Sequence, residues 1–443
     1  MIDSARVDSL WSDRSFWGFT ATQFLGAFND NLFKQLVLLL FVAVPDRTAL
    51  VTGDDAPTRD LQWLALLMFS LPFILFSGYA GYLSERYSKS QMISGCKLAE
   101  VLIMLLGLLA FGCLSWYQLS PLVIGALALV LFLMGSHSAF FGPSKYGILP
   151  ELLPSRSLKT ANGIVIMTTF LSIILGTGLA GLLKTWWQGE LAFAGAVCCV
   201  IAVLGVVTAL LLRRTEARVP DLEFSVGNLG VPRAVRELLQ VDRPLANTLA
   251  ASTVFWLVAA LVQPSVNALG HDQLQESDDW TSYLVMTISL GIALGSVLTG
   301  WVSRRIGERF VPRLSLAGMV LTLFILALPG GPKSQLLGYW GSVGALLVLG
   351  VFTGMFAVPM QVFLQSRPPD GFKGQVIATQ NLFNWIGIFL SAGIYWVSAG
   401  VLRWLHWPPS AVFAIIALIL APVALAAWRW PIAQDLASPV SDA

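Results

Sequence analysis

The sequence predicts an all-α membrane protein of twelve transmembrane helices arranged as two six-helix pseudo-repeats, and three observations carry that reading. Of its 443 residues 56% are hydrophobic and only 12% charged, against about 45–50% and about 25% in an average soluble domain, and the mean hydropathy is +0.73. Apolar windows long enough to cross a bilayer recur along the whole chain; at about 20 residues per crossing and about 10 per connection, the length accommodates roughly twelve. Finally, motifs in the first half return at matching places in the second, as expected of duplicated bundles. The formal charge of +2 provides no field for nucleic acid or polycations.

Taken in order, span 1 covers 16–44. It follows Arg6 and Arg14 and runs on without a small-residue cleavage site, so it reads as a retained helix and not a signal peptide. Spans 2 to 6 cover 61–83, 91–113, 121–142, 160–183 and 191–212. Residues 213–243 form the longest polar connection; within it Pro232 to Gln240 places Val235, Leu238 and Leu239 on one side, an amphipathic piece expected along the inner membrane surface. Spans 7 to 12 cover 244–269, 280–302, 310–328, 338–365, 375–400 and 410–430. The expected organisation is therefore an N-terminal bundle (1–212), a cytoplasmic linker (213–243) and a C-terminal bundle (244–443).

Most lysines and arginines fall at the termini and in connections 85–90, 143–159, 213–243, 303–313 and 366–374. The opposite connections hold Arg47, Arg59, Lys184, Lys333 and Arg403, and are otherwise acidic (Asp46, Asp54, Asp55 and Asp60; Asp272, Glu276, Asp278 and Asp279). The positive-inside rule makes both termini cytoplasmic.

After span 2 comes Gly81-Tyr82-Leu83-Ser84-Glu85-Arg86-Tyr87-Ser88-Lys89, and after span 8 Gly300-Trp301-Val302-Ser303-Arg304-Arg305-Ile306-Gly307-Glu308-Arg309. Phe140-Phe141-Gly142-Pro143 in span 4 likewise recurs as Phe356-Ala357-Val358-Pro359 in span 10. The first stretch resembles the loop signature of the major facilitator superfamily, which implies the major facilitator fold. Gly81 and Gly300 are expected to permit close helix approach, and Glu85, Arg86 and Arg305 to engage helix ends and each other across the bundles, as gating residues.

Phe24-Leu25-Gly26-Ala27-Phe28-Asn29-Asp30-Asn31, Gly142-Pro143-Ser144-Lys145-Tyr146-Gly147-Ile148-Leu149-Pro150-Glu151 and Lys159-Thr160-Ala161-Asn162-Gly163 resemble the bacterial lysophospholipid transporter (LplT) family, including the transporter part of acyltransferase-fused members. That resemblance implies flipping of lysophospholipids, chiefly lysophosphatidylethanolamine, across the bacterial inner membrane for reacylation. A chain ending at Ala443 carries no fused enzyme, so a separate acyltransferase is the expected partner beside substrate and membrane lipids. Gln263 stands where some enterobacterial members carry an arginine, and Lys34 is an added cation.

Asp30, Lys34, Lys97 and Glu100 lie well inside spans, where each costs roughly 2.5–3.5 kcal/mol at a helix centre, so they should face a cavity or one another. Helical geometry groups Gln23, Ala27, Asp30, Asn31 and Lys34 in one polar stripe of span 1. That stripe, with Lys145 and Gln263, forms the candidate substrate site. Lys97 and Glu100, three apart on span 3, are close enough to pair; they are either a coupling site or a self-neutralising strut, and Asp30 with Lys34 carries the same alternative. Lys145 points either into a cavity or toward anionic headgroups, and His137 either relays protons or seals a packing contact. Gly176, Gly178, Gly181, Gly291, Gly295 and Gly300 are expected to let helices pack closely. Trp256 and Trp385 either line an acyl-chain pocket or pack in the core. Cys96, Cys113, Cys198 and Cys199 sit in apolar stretches as small hydrophobes.

His137, His271 and His406 lie in no H-E-x-x-H, no H-x-x-x-x-D and near no G-x-S-x-G, and no Walker loop is present, so neither enzyme chemistry, a cofactor, a metal nor direct use of ATP is expected. The competing reading is a proton-coupled exporter of drugs or small amphiphiles, with Asp30 or Glu100 as the protonated carboxylate.

Overall fold

In the computed structural model the described residues are 10–45, 58–224, 230–330, 335–369 and 372–429. Arg6, Asp46, Arg47, Asp54, Asp55 and Lys333 lie outside them. Among the described residues twelve helices are long and apolar enough to cross a membrane: Arg14–Phe41, Gln62–Arg86, Lys89–Tyr117, Pro121–Lys145, Thr160–Trp186 and Ala192–Ala209, then Arg243–Gln273, Asp278–Ile306, Phe310–Ala327, Gly338–Ser366, Lys373–Trp404 and Pro409–Trp428. These are spans 1 to 12. They overlap every expected window, and all four cysteines are free thiols.

Local chemistry sets the helix starts. Span 1 begins beneath Asp13, whose carboxylate accepts from the backbone N–H groups of Ser15 and Phe16 at 2.8 and 3.0 Å. Span 7 begins beneath Asp242, which accepts from Leu245 N at 3.1 Å, with Pro244 in the first turn. Each half thus opens under an aspartate cap, which satisfies N–H groups orphaned at a helix start and opposes the positive dipole end. Ser88 and Ser120 cap spans 3 and 4. Gly307 ends span 8 at φ 86°, a left-handed conformation that glycine adopts without a Cβ penalty. Pro143 does not end span 4, as its expected limit at 142 implied: the helix runs on to Gly147, because neighbouring groups can accommodate the missing N–H bond inside a bundle.

The chain divides into two compact units, one of Met1–Leu36 with Leu71–Leu229 and the other of Val37–Ser70 with Gly230–Ala443. In the first, Phe16, Phe19, Ile93, Phe141, Ile148 and Val165 belong to one buried cluster. In the second the core gathers Leu245, Phe255, Leu323, Leu346, Phe363 and Phe413. The N-terminal end of span 2 belongs to this second unit through polar bonds: Gln62 donates to Pro264 O at 3.1 Å and to the Tyr395 hydroxyl at 3.2 Å, and accepts from Asn267 Nδ2 at 2.8 Å.

Spans 8 and 10 meet backbone to backbone. A Cβ on Gly291, Gly295, Gly350 or Gly354 would overlap the carbonyl oxygen of Leu347, Val351, Ile288 or Ile292 respectively, so both helices use a Gly-x-x-x-Gly face to come together. Gly176 presses likewise on Phe28 O. Gly81 and Gly300 correct the expectation: among the described residues nothing lies within 4 Å of a Cβ there, since they sit where their helices run out toward the loops. The linker helix is Arg233–Val241. Val235 is fully buried and Leu238 and Leu239 pack on the core of the second unit, so its apolar side covers protein.

Candidate functional site

The first unit carries two linked polar clusters. In one, Asp30 of span 1 accepts from Ser138 Oγ of span 4 at 2.7 Å; Lys34 and Lys145 lie within reach of its charge, as do Lys97 and Glu100 of the second cluster. Lys145 Nζ donates to Thr169 Oγ1 at 3.3 Å, the same threonine donates to Gln23 Oε1 at 2.8 Å, and Gln23 Nε2 donates to Thr168 Oγ1 at 2.7 Å. One carboxylate, two ammonium groups and a seam of amide and hydroxyl groups therefore converge from spans 1, 4 and 5. Asn31 turns its amide back to Ala27 O at 2.7 Å.

In the second cluster Lys97 Nζ donates to Glu100 Oε2 at 2.6 Å, and Asn29 Nδ2 donates to Glu100 Oε1 at 2.9 Å. Both charges are sealed from solvent, with relative exposures of 0% and 2%. His137 Nε2 faces Glu100 Oε2 at 3.6 Å. Lys97 lies across Gly26, where any Cβ would overlap its ammonium, and over the ring of Phe141 at 5.1 Å. The Gly26-x-x-Asn29-Asp30 stretch thus has a physical sense: the glycine admits the lysine, the asparagine holds its carboxylate partner, and the aspartate faces the first cluster.

The gating candidates sit as follows. Arg86 bonds the Tyr82 hydroxyl and reaches Leu222 O at 3.4 Å, and Glu85 pairs with Arg218 at 3.4 Å, so this end of span 2 is tied to the linker. Arg305 stacks on Trp301 of its own helix at 4.8 Å. Lys89, at the end of the loop signature, pairs with Glu151 at 2.5 Å, its stem lying where a Cβ on Gly147 would stand. Two motifs separate in sequence are in this way one contact.

In the second unit Gln263 is half-buried on span 7. Sequence reasoning missed a polar group joining spans 7, 10 and 11. Gln380 donates to Gln361 Oε1 at 3.0 Å and to Ser252 Oγ at 3.3 Å, and Asn384, with its amide turned to satisfy both ends, donates to Ser252 Oγ at 2.9 Å and accepts from Trp256 Nε1 at 3.1 Å. An apolar cavity of about 460 Å³ opens between the linker helix, span 7 and span 11, lined by Leu239, Leu249, Val254, Phe383 and Ile386 among others. Neither Trp256 nor Trp385 lines it: Trp256 bonds Asn384 and Trp385 packs near Phe69 at 6.3 Å. Asp60, just before span 2, accepts from the Tyr395 hydroxyl at 2.5 Å. Burial lifts its carboxyl from 3.8 to about 6, against the lowering influence of the bonds from Tyr395 and Gln62.

Twelve spans with interior charges gathered on facing helices define a polytopic carrier. The Major Facilitator Superfamily model matches residues 22–392, and the chain belongs to that family: it is a multi-pass secondary transporter, not an enzyme. Its relatives include the lysophospholipid transporter LplT of Klebsiella pneumoniae, 27% identical with 97% of this chain and 99% of that protein covered, and that of Serratia proteamaculans, 26% identical over 88% and 89%. Among solved structures, the nucleoside transporter NupG superposes with a TM-score of 0.66 at 12% identity, over 95% of this chain and 99% of that one. A bacterial homologue of the iron transporter ferroportin does so with 0.66 at 15%, over 94% and 100%. These likenesses establish the fold.

Proposed function

We propose that this transporter moves lysophospholipids of the lysophosphatidylethanolamine type across the bacterial inner membrane by alternating access, with both termini cytoplasmic and a separate acyltransferase consuming the product. One observation carries the reading: the buried carboxylate Asp30 lies within the electrostatic reach of Lys34, Lys145 and the Lys97–Glu100 ion pair, and beside that self-neutralised pair stand one carboxylate and two lysines, the charge pattern complementary to a zwitterion. Asp30 pairs with the ammonium, while each lysine meets the phosphate as a compact point charge. The relatives named LplT support the same class of substrate. Apolar attraction comes from the acyl chain at about 0.8 kcal/mol per buried methylene, so headgroup selection falls to the charged cluster. Arg86 and Arg305 act at the cytoplasmic gate.

The test is uptake of labelled lysophosphatidylethanolamine by spheroplasts lacking their own transporter, with and without this chain. Uptake dependent on the chain and not shared by diacyl lipid supports the reading. Equal handling of diacyl lipid, or efflux of amphiphiles lacking a glycerophosphate group, defeats it.

A further inference from the structure

Where span 2 begins, a buried polar network joins it to spans 7 and 11. Asn267 Nδ2 donates to Gln62 Oε1 at 2.8 Å, which turns the nitrogen of that amide toward Pro264 O at 3.1 Å, the Tyr395 oxygen at 3.2 Å and Asp60 Oδ2 at 3.3 Å. Gln62 and Asn267 are fully buried and Tyr395 is 1% exposed. Asp60 Oδ1 accepts from Gln62 N at 2.9 Å. The Tyr395 hydroxyl then has one hydrogen for two acceptors, Asp60 Oδ2 at 2.5 Å and Pro264 O at 3.2 Å. While Asp60 is a carboxylate the hydrogen goes to it, because a charged acceptor makes the stronger bond, and Pro264 O loses it. A proton on Asp60 Oδ2 completes the set: the acid donates to Tyr395, and Tyr395 donates to Pro264 O.

The network also lies at a seam in the chain. Residues 37–70 belong to the second compact unit and 71–86 to the first, so span 2 changes unit part-way along, next to Pro72 inside the helix. A proline lacks the N–H that would bond one turn back, so the helix bends most readily there. Leu61 N donates to Phe41 O at 2.8 Å, which ties the adjoining ends of spans 1 and 2 together. Side-chain bonds of the network can open without unfolding either helix. The titratable and charged groups about Asp60 are Tyr395 of span 11, with Arg403 acting on that tyrosine, and Asp272 after span 7's α-helical part, itself bonded to His271 at 2.8 Å. Arg59 precedes Asp60 in the strand Thr58–Arg59. Burial and the negative charge of Asp272 both oppose a carboxylate at Asp60.

We propose that Asp60 is a proton-binding site that fastens the N-terminal end of span 2 to spans 7 and 11, so that this end of the transporter takes up a proton on closing and releases it on opening. This rests on the alternating-access part of the proposed function and not on the substrate. On opening, the Asp60 O–H bond breaks, the carboxylate keeps the electron pair, and the proton leaves to water on the side where span 2 begins; Tyr395 keeps its own hydrogen. Closed, the carboxyl sits at about 6; solvated, it returns to its ordinary 3.8. The closed form therefore has its full advantage below 3.8 and loses it as pH rises through about 6.

Pulsed electron–electron distance measurement on the full chain in liposomes reads the two forms. Spin labels go on Thr58→Cys and Trp404→Cys, both exposed positions, with the half-buried Cys113 and Cys199 replaced by Ala. With Asp60 present, the ratio of short to long distances should rise about tenfold or more from about pH 7.5 to about pH 4.5. Asp60→Asn, which stays neutral and keeps an acceptor for Gln62 N and a donor for Tyr395, should stay short at both pH values. Tyr395→Phe should shift both ratios toward long; should it fail to fold, Asp60→Asn decides alone. A single distance at both pH values overturns the proposal and, with it, alternating access at this end. Two distances whose ratio ignores pH, or answers it equally in Asp60→Asn, overturn the proton site and leave alternating access standing. Lysophosphatidylethanolamine left untransported while the ratio still follows pH through Asp60 defeats the substrate reading alone, and the proton site stands.

Discussion

Replacing Lys97 by Met removes one half of an ion pair whose members are 0% and 2% exposed, and Glu100 then keeps the hydrogen bond from Asn29 at 2.9 Å and the neighbouring ring of His137 at 3.6 Å. Breaking a buried pair by removing one partner costs about 3–5 kcal/mol, and a hydrogen bond to a charged group returns about 1.5–3. Since Asn29 already donates in the wild type, it offsets nothing new, and the loss for Lys97→Met should fall near the full range. The double change Lys97→Met with Glu100→Gln leaves no stranded charge. Methionine fills the lysine channel over Gly26 and Phe141, and glutamine retains an acceptor for Asn29, so most of the stability should return. Thermal unfolding of the purified protein in detergent, followed by intrinsic tryptophan fluorescence, measures all three variants. A single variant within about 1 kcal/mol of wild type, or a double variant no better than the single one, would refute the reasoning.

Three further outcomes are expected. Asp30→Asn should impair transport of lysophosphatidylethanolamine more than of lysophosphatidylglycerol, which lacks the amine, whereas Lys34→Met should impair both; transport rescued by the double change would reduce the pair to a strut. Gly295→Ala places a Cβ on the carbonyl oxygen of Val351, where backbone meets backbone, and should cost about 1–3 kcal/mol in the same unfolding assay, while Gly300→Ala, with open space around it, should be neutral. Asp60 carries a carboxyl raised from 3.8 to about 6, so the folded state binds more protons than the unfolded one across that interval. Stability should therefore fall as pH rises from about 4 through about 6 and level off above, and Asp60→Asn should flatten the profile.

The twelve spans were legible from composition and window length alone, because a bilayer demands about 20 apolar residues per crossing whatever the neighbours are. The stripe from Gln23 to Lys34 and the pairing of Lys97 with Glu100 were legible too, since both lie on single helices where spacing fixes which side chains meet. Contacts across helices were not. Ser138 with Asp30, Asn29 with Glu100, Lys89 with Glu151 over Gly147, and Ser252 with Gln380 and Asn384 join residues far apart in sequence. Such pairs depend on how each helix is rotated and how deep it sits, which periodicity along one helix leaves open. The same holds for glycine: Gly291, Gly295 and Gly300 look alike in sequence, yet only the first two meet another backbone. Span count, the repeat and the presence of buried charge belonged to the sequence by itself, because each follows from transfer out of water; which charges face which, and which glycines touch, was decided only by packing in three dimensions.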